Sequence, residues 1–152
     1  MAGNPSHPDT ILRIKKTFAA PREKVWHAWT DPKALMRWFA PADDFSTPLV
    51  EVNLRAGGKY RIQMKAPNGE LHIVGSVYRE IQPPERLVFT WASEGDTSCG
   101  TAGHETLVTV ELHERGSVTE LVLTHERFTN AAERDKHDHG WKGCLAQLEK
   151  NL

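Results

Sequence analysis

The sequence contains little of three features that mark specialised classes of protein: cysteine, long apolar runs and an excess of charge of one sign. Its 2 cysteines, Cys99 and Cys144, are far apart in the chain and are predicted to be reduced thiols. No apolar run approaches the roughly 18 residues of a membrane span, and residues 1–10 (MAGNPSHPDT) contain no apolar signal segment. The 19 basic and 20 acidic residues give a formal net charge of −1, which provides no long-range attraction for nucleic acid or an anionic membrane. These absences predict a soluble, cytoplasmic protein with no nucleic-acid partner and no membrane span.

A chain of 152 residues has the size of about one domain and can bury a hydrophobic core without disulfides. We predict a flexible N-terminal leader over residues 1–9 and a single domain over residues 10–152. Residues 93–104 (SEGDTSCGTAGH) show no periodicity and include three glycines. This segment is expected to be the most mobile internal loop, because it has no apolar anchor and many backbone conformations open to it.

The apolar pattern predicts a strand and two short helices at the start of the domain. Residues 10–18 alternate apolar and polar side chains, as a half-buried strand does. In residues 20–29 the apolar side chains recur at helical spacing, with Pro21 at the first helical position. Asp31 and Pro32 are then typical of the N-cap and first position of a second helix.

The middle of the chain has the pattern of strands. Alternating or β-branched and aromatic segments are separated by turn residues such as Asn68-Gly69 and Pro83-Pro84. The predicted strands are residues 49–54, 58–65, 70–81, 86–93, 105–114 and 119–127. Six strands joined by short turns imply an antiparallel meander, so with the first strand we predict an α+β protein with about seven strands.

The C-terminal segment is the longest helix candidate and is expected to extend from residue 131 to residue 152. Asn130 as N-cap and Glu133 three residues later resemble a capping box. Gly140 and Gly143 each cost about 1 kcal/mol relative to alanine in a helix, which predicts close approach by a neighbouring element. At about 100° per residue, one face of this helix contains His137, Trp141, Cys144, Leu145, Leu148 and Leu152.

The histidines near this helix raise the question of a metal or a catalytic centre. His137 and His139 are two positions apart, so they project about 200° apart around a helix and cannot bind the same metal ion. His125 could approach His137 from a strand, but two histidines without a third ligand make a poor zinc site. Cys144 lies in the apolar face away from a helix N-terminus, which favours a core thiol over a nucleophile. We therefore expect no metal and no cofactor, and we assign no catalytic residue.

A wall of a small-molecule pocket is the better hypothesis for these residues. On three predicted strands, an apolar series on one face ends in Met64, Trp91 or His125. A curved sheet covered by one long helix could enclose a cavity with few polar groups, as small-molecule sites usually have. The alternative for the tryptophans is ordinary core packing, and for each histidine it is a buried ring satisfied by hydrogen bonds. The candidate ligand-binding residues are Trp38, Met64, Trp91, His125, His137 and Trp141.

The order of these elements resembles the helix-grip fold of the START/Bet v 1-like (SRPBCC) superfamily. Within it, FAAPREKVWHAWTDPKALMRWF, VEVNLRAGGKYRIQM, GSVYREIQPPERLVFTW and TELVLTHERF…RDKHDHGW resemble the family named after the C-terminal domain of the activator of the Hsp90 ATPase. Its T-H-E-x-F and D-x-H-x-x-G-W motifs match residues 124–128 and 135–141. The resemblance covers residues 11–152 and implies a curved sheet wrapped around the C-terminal helix, with a hydrophobic cavity between them. It also implies a stand-alone member of the family.

Three functions follow from the residues and the resemblance together. The first is a binding protein for a small apolar or aromatic ligand, without chemistry of its own. The second is an enzyme of the cyclase/aromatase or hydratase kind, in which His125 or His137 acts as general acid or base. The third is a protein-interaction module of the co-chaperone type. Whether the chain is an enzyme, and whether it has a protein partner or forms a homodimer, is left open by the sequence.

Overall fold

The computed structural model describes residues 10–93 and 105–152. The predicted leader, and all of the predicted loop except its first residue, lie outside the described residues. None of the helices in the described part of the chain is long and apolar enough to cross a membrane. The elements, in chain order, are β1 (Ile11–Phe18), α1 (Arg22–Thr30), α2 (Pro32–Trp38), β2 (Ser46–Val52), β3 (Lys59–Lys65), β4 (Leu71–Gln82), β5 (Arg86–Ser93), β6 (Thr106–Arg115), β7 (Val118–Glu126) and α3 (Ala131–Lys150).

The seven strands form one curved antiparallel sheet in the order β1-β7-β6-β5-β4-β3-β2. Strands β2 to β7 are neighbours in chain order, which confirms the predicted meander. β1 pairs with β7 along its whole length, from Ile11 opposite Glu126 to Phe18 opposite Thr119, and so forms one edge of the sheet. The predicted α+β class and the helix-grip arrangement are therefore confirmed.

Strand β2 begins earlier and ends earlier than the sequence pattern predicts, at Ser46 and Val52 instead of residues 49 and 54. Its pairing with β3 shifts register between Ser46 and Leu49. The hydroxyl of Thr47 also donates a hydrogen bond to the carbonyl of Phe39 at 2.6 Å. The irregular start of β2 is thus tied to the end of α2, a contact that alternation of apolar residues does not show.

The two short helices begin at residues whose chemistry explains the position. The carboxylate of Asp31 accepts a hydrogen bond from the backbone N–H of Ala34 at 3.0 Å, and Pro32 follows at the first position of α2. Pro21 is the N-cap of α1, with φ −67° and ψ 154°. Its predicted place inside the helix is wrong by one residue, because the proline ring restricts φ and leaves ψ free to be extended.

The helix α3 covers one face of the sheet with the phase predicted from the sequence. The Asn130 side chain accepts a hydrogen bond from the backbone N–H of Glu133 at 2.9 Å, which fixes the start of the helix. Near its other end, Lys150 and Gln147 donate hydrogen bonds to Asp43, and these bonds lower the pKa of that carboxyl group. The helix ends at Lys150, two residues before the predicted end. Its buried residues are His137, Trp141, Cys144, Leu145 and Leu148.

Two glycines of α3 face different surroundings. A Cβ atom at Gly143 would lie 2.0 Å from the carbonyl oxygen of Pro41, so only glycine permits the helix to come this close. A Cβ atom at Gly140 would meet no atom of the described residues within 4 Å. The predicted close approach is therefore correct for Gly143 and wrong for Gly140, since Gly140 borders open space in a pocket.

Candidate functional site

A pocket of about 210 Å³ lies between the sheet and α3, next to the connection from α2 to β2. Three strands, this connection and the part of α3 from Lys136 to Cys144 contribute to its wall. Most of the lining side chains are aromatic or aliphatic, and the exposed Lys136 marks the edge where the pocket reaches the surface. The lining residues are Phe39, Pro41, Phe45, Met64, His72, Trp91, Lys136, His137, Gly140, Trp141 and Cys144.

The structure brings four of the six predicted residues to this wall: Met64, Trp91, His137 and Trp141. The ring centroids of Trp91 and Trp141 are 5.1 Å apart, and those of Trp91 and His137 are 6.4 Å apart. Trp38 and His125 do not line the pocket. The four lining residues come from two strands and one helix, so only the tertiary packing makes them neighbours.

Trp38 instead packs against α1 and so connects the two short helices. Its Nε1–H donates a hydrogen bond to the carbonyl of Ala28 at 2.8 Å, and its ring meets Trp29 edge-on with centroids 4.9 Å apart. The side chain is almost completely buried. The neighbouring residue, Phe39, reaches the pocket in its place.

His125 is completely buried and uses both of its ring nitrogens. The indole Nε1–H of Trp141 donates to its Nδ1 at 3.0 Å, and an indole N–H can only donate. The proton of the neutral ring therefore belongs on Nε2, which donates to the hydroxyl of Thr106 at 2.6 Å, and that hydroxyl donates to the carbonyl of Trp91 at 3.2 Å. Burial lowers the pKa of His125 well below its usual 6.5, and the nearby His137 lowers it further.

His137 lines the pocket, and only one of its two ring nitrogens has a hydrogen-bond partner among the described residues. Its Nδ1 lies 2.8 Å from the backbone carbonyl of Glu133, which can only accept, so Nδ1 carries the proton. Its Nε2 is buried and has no hydrogen-bond partner among the described residues. Burial lowers the pKa of His137, while the hydrogen bond to the Glu133 carbonyl opposes that effect. At neutral pH the ring is therefore neutral, with an unshared electron pair on Nε2.

A second buried polar atom of the wall is also without a partner among the described residues. It is the indole Nε1–H of Trp91, a side chain that is 6% exposed. In the other lining tryptophan, Trp141, the indole N–H donates a hydrogen bond to His125. Two residues that line the pocket thus each contain a buried polar atom without a partner among the described residues, a donor in Trp91 and an acceptor in His137.

The two sequence motifs of the predicted resemblance form one cluster in space. His125 and Phe128, from residues 124–128, have ring centroids 4.3 Å apart. Both rings contact His137, from residues 135–141, at 5.1 Å and 4.9 Å. Trp141 joins through its hydrogen bond to His125. The motifs therefore specify how the end of β7 is attached to the start of α3, beside the pocket.

Several lining residues were not predicted from the sequence. The missed side chains include Phe39, Phe45 and His72. His72 pairs directly with Met64 in the β3–β4 hairpin, but a two-residue turn at Asn68-Gly69 would pair it with Lys65 instead, so the turn signal alone does not identify it. Phe39 and Phe45 lie in an irregular connection, where neither the period of a helix nor that of a strand indicates direction.

The described residues contain no group of three or more histidine, cysteine, aspartate or glutamate side chains placed to bind a metal ion. Cys144 is a buried thiol, and Cys99 lies outside the described residues. His125 and His137 are close to each other, but the nitrogens of His125 are both occupied by hydrogen bonds.

Both buried histidines predict that acid destabilises the protein. The unfolded chain takes up protons near pH 6.5, whereas the folded rings resist protonation because their pKa values are lowered. The free energy of unfolding should be level above about pH 7 and then fall, by up to about 1.4 kcal/mol per pH unit for each histidine. Urea unfolding between about pH 7.5 and about pH 5.5 measures this. His137→Phe should reduce the slope, while a matched substitution of the exposed His139 should not; equal slopes would contradict the assignment.

A seven-stranded antiparallel sheet that grips a C-terminal helix, with an apolar pocket between them, defines a helix-grip protein of the START/Bet v 1-like (SRPBCC) superfamily. Within this class, the chain belongs to the Activator of Hsp90 ATPase homolog 1-like protein family, whose model matches residues 19–152. The predicted resemblance is thereby confirmed. A comparison with curated protein sequences gives no match.

Solved structures with the same fold come from several bacteria. Protein CV1439 from Chromobacterium violaceum is 26% identical, with a TM-score of 0.80, and the match covers 93% of this chain and 96% of that one. Protein NE0264 from Nitrosomonas europaea is also 26% identical, with a TM-score of 0.78 and 94% of each chain covered. The AHSA1 protein SPO3351 from Silicibacter pomeroyi is 23% identical, with a TM-score of 0.82 and coverage of 93% and 96%. The last likeness is one of fold alone.

Proposed function

We propose that this protein binds a small apolar or aromatic molecule in the pocket between the sheet and α3. The observation that carries the proposal is the wall itself, where the rings of Phe39, Trp91 and Trp141 and the side chain of Met64 border open space. Small-molecule sites are usually concave and apolar with a few polar groups that fix orientation. The helix-grip fold of this family is consistent with such a role.

The size of the pocket limits the ligand. Its volume of about 210 Å³ exceeds the roughly 150 Å³ of an engineered apolar cavity that binds benzene. One aromatic ring with a small substituent fits this space. Gly140 lines the pocket, and a Cβ atom at that position would meet no other atom of the described residues within 4 Å.

A second candidate is an enzyme that uses a pocket histidine as general acid or base. The observation that favours it is the neutral ring of His137, with an Nε2 atom that has no partner in the described part of the chain. A base must present such a nitrogen to the proton that it removes. His125 has no such nitrogen available, because both of its ring nitrogens are hydrogen-bonded within the protein.

The binding proposal is tested by titrating isotopically labelled protein with p-xylene and following amide and indole resonances. We expect saturable shifts, largest for the indole groups of Trp91 and Trp141, because these rings border the pocket. Gly140→Leu should weaken binding by at least about tenfold by filling the space. The neighbouring exposed residue supplies a matched control, His139→Leu, which should bind as the natural protein does. Absence of saturable shifts, or equal binding by both variants, would refute the proposal.

A further inference from the structure

We infer that the ligand of this pocket is a neutral molecule with a hydroxyl group, which donates a hydrogen bond to Nε2 of His137, and with an oxygen that accepts one from Nε1–H of Trp91. The inference rests on the proposed function and adds the chemical class of the ligand. It comes from two buried polar atoms that have no partner among the described residues and that belong to side chains lining the pocket. Each of the two side chains is 6% exposed.

The two atoms have opposite hydrogen-bonding character. His137 gives the proton on its Nδ1 to the carbonyl of Glu133, so its Nε2 can only accept. The Nε1–H of Trp91 can only donate. Buried polar groups in native proteins are almost always hydrogen-bonded. An occupant that offers a donor to one atom and an acceptor to the other would satisfy both.

The rings of His137 and Trp91 are neighbours in the pocket wall, so one small molecule in the pocket can contact both rings. Their centroids are 6.4 Å apart and their planes are nearly perpendicular, at 78°. A hydroxyl group is both a donor and an acceptor, so the requirement is met by a single hydroxyl or by a hydroxyl with a neighbouring oxygen. The remaining wall, formed by rings such as Phe39 and Phe45 and by Met64, suits an aromatic or aliphatic body.

The charges near the pocket favour a neutral ligand over a carboxylate. A carboxylate would present only acceptors, and the unshared electron pair on Nε2 of His137 would repel it. The lysine at the pocket edge, Lys136, is exposed and forms an ion pair with Glu133 at 3.6 Å. Phenols and small alcohols therefore fit the wall better than aromatic acids do.

The inference is tested on the natural protein with four probes of similar shape: p-cresol, 4-methylanisole, p-xylene and 4-methylbenzoate. The first can donate and accept, the second can only accept, the third can do neither, and the fourth carries a negative charge. Dissociation constants are measured by the same resonance titration. We expect p-cresol to bind at least about tenfold more tightly than each of the other three.

Variants then test whether the preference for p-cresol depends on Nε2 of His137 and Nε1–H of Trp91. His137→Phe keeps the ring volume but removes the acceptor, so in this variant p-cresol should bind no more tightly than p-xylene. Trp91→Phe should reduce the preference for p-cresol in part. The exposed His139→Phe is the control and should keep the full preference. Amide spectra verify that each variant is folded, and the four-probe comparison stands without any variant.

The possible outcomes distinguish failure of the hydroxyl requirement from failure of the proposed function. Equal affinity for p-cresol and p-xylene would overturn the hydroxyl requirement while leaving apolar binding intact. Tightest binding of 4-methylbenzoate would also overturn it and would point to an anionic ligand. Failure of every probe to bind would refute the proposed function itself. If His137→Phe keeps the preference for p-cresol, His137 does not bind the hydroxyl group. That result would reject the inference.

Discussion

Trp141→Ala should lower the free energy of unfolding by about 3–5 kcal/mol, the usual cost of removing a large buried aromatic side chain. Trp141 is 3% exposed, and its ring packs against Trp29, Phe39 and Trp91, with centroid distances of 6.0, 5.7 and 5.1 Å. The change also removes the donor to Nδ1 of His125. A buried acceptor left without a partner costs about 1–3 kcal/mol, so the upper part of the range is expected.

Urea unfolding at neutral pH measures the effect, with two variants for comparison. Trp141→Phe keeps most of the packing and removes the N–H, so it isolates the cost of the unpaired His125 nitrogen, about 1–3 kcal/mol. Trp26→Ala makes the same chemical change as Trp141→Ala at a half-buried position of α1 and should cost clearly less. Similar losses for Trp26→Ala and Trp141→Ala would show that Trp141 does not anchor α3 to the sheet.

Gly143→Ala should destabilise the protein by about 1–3 kcal/mol, although alanine is the better helix former. The added Cβ would lie 2.0 Å from the carbonyl oxygen of Pro41 and 2.8 Å from its carbonyl carbon. Both are backbone atoms, so the clash cannot be relieved by turning a side chain. Either α3 or the connection between α2 and β2 must move, which would also disturb the pocket wall at Pro41.

Gly140→Ala is the matched control, three residues earlier in the same helix. The methyl group of the new alanine would have no atom of the described residues within 4 Å, so only the helix propensity changes. We expect a gain of up to about 1 kcal/mol. The two glycine variants should therefore move the urea midpoint in opposite directions. A gain in both would mean that α3 is not held against Pro41 as the structure has it.

The sequence anticipated the pocket-lining residues where local periodicity decides direction. Alternation along β3 and β5 places Met64 and Trp91 on the covered face, and the helical period places His137 and Trp141 on the buried side of α3. For Trp38, the period of a seven-residue helix did not distinguish the pocket from the contact between α1 and α2. That these residues bind a ligand stays a prediction.

His125 shows that local sequence patterns do not identify hydrogen-bond partners that lie far apart in the chain. Strand alternation predicts its inward direction correctly, since it continues the buried series of Leu121 and Leu123. Its two hydrogen-bond partners, Trp141 and Thr106, are 16 and 19 positions away in the chain. No local pattern contains that information, so the sequence left open whether this histidine is satisfied or available.

The sequence by itself determined the six-stranded meander of β2 to β7, the long amphipathic C-terminal helix and the family, because each depends on residues close together in the chain. Periodicity, turn residues and caps act over a few positions, and they select the type and phase of an element. The tertiary structure alone decided which nitrogen atoms are used and where space remains. In the folded protein both nitrogens of His125 are hydrogen-bonded. Nε2 of His137 and Nε1 of Trp91 have no partners among the described residues. Gly140 lines the pocket and has open space beside it. These features depend on distances between separate elements, which packing sets to a few tenths of an ångström.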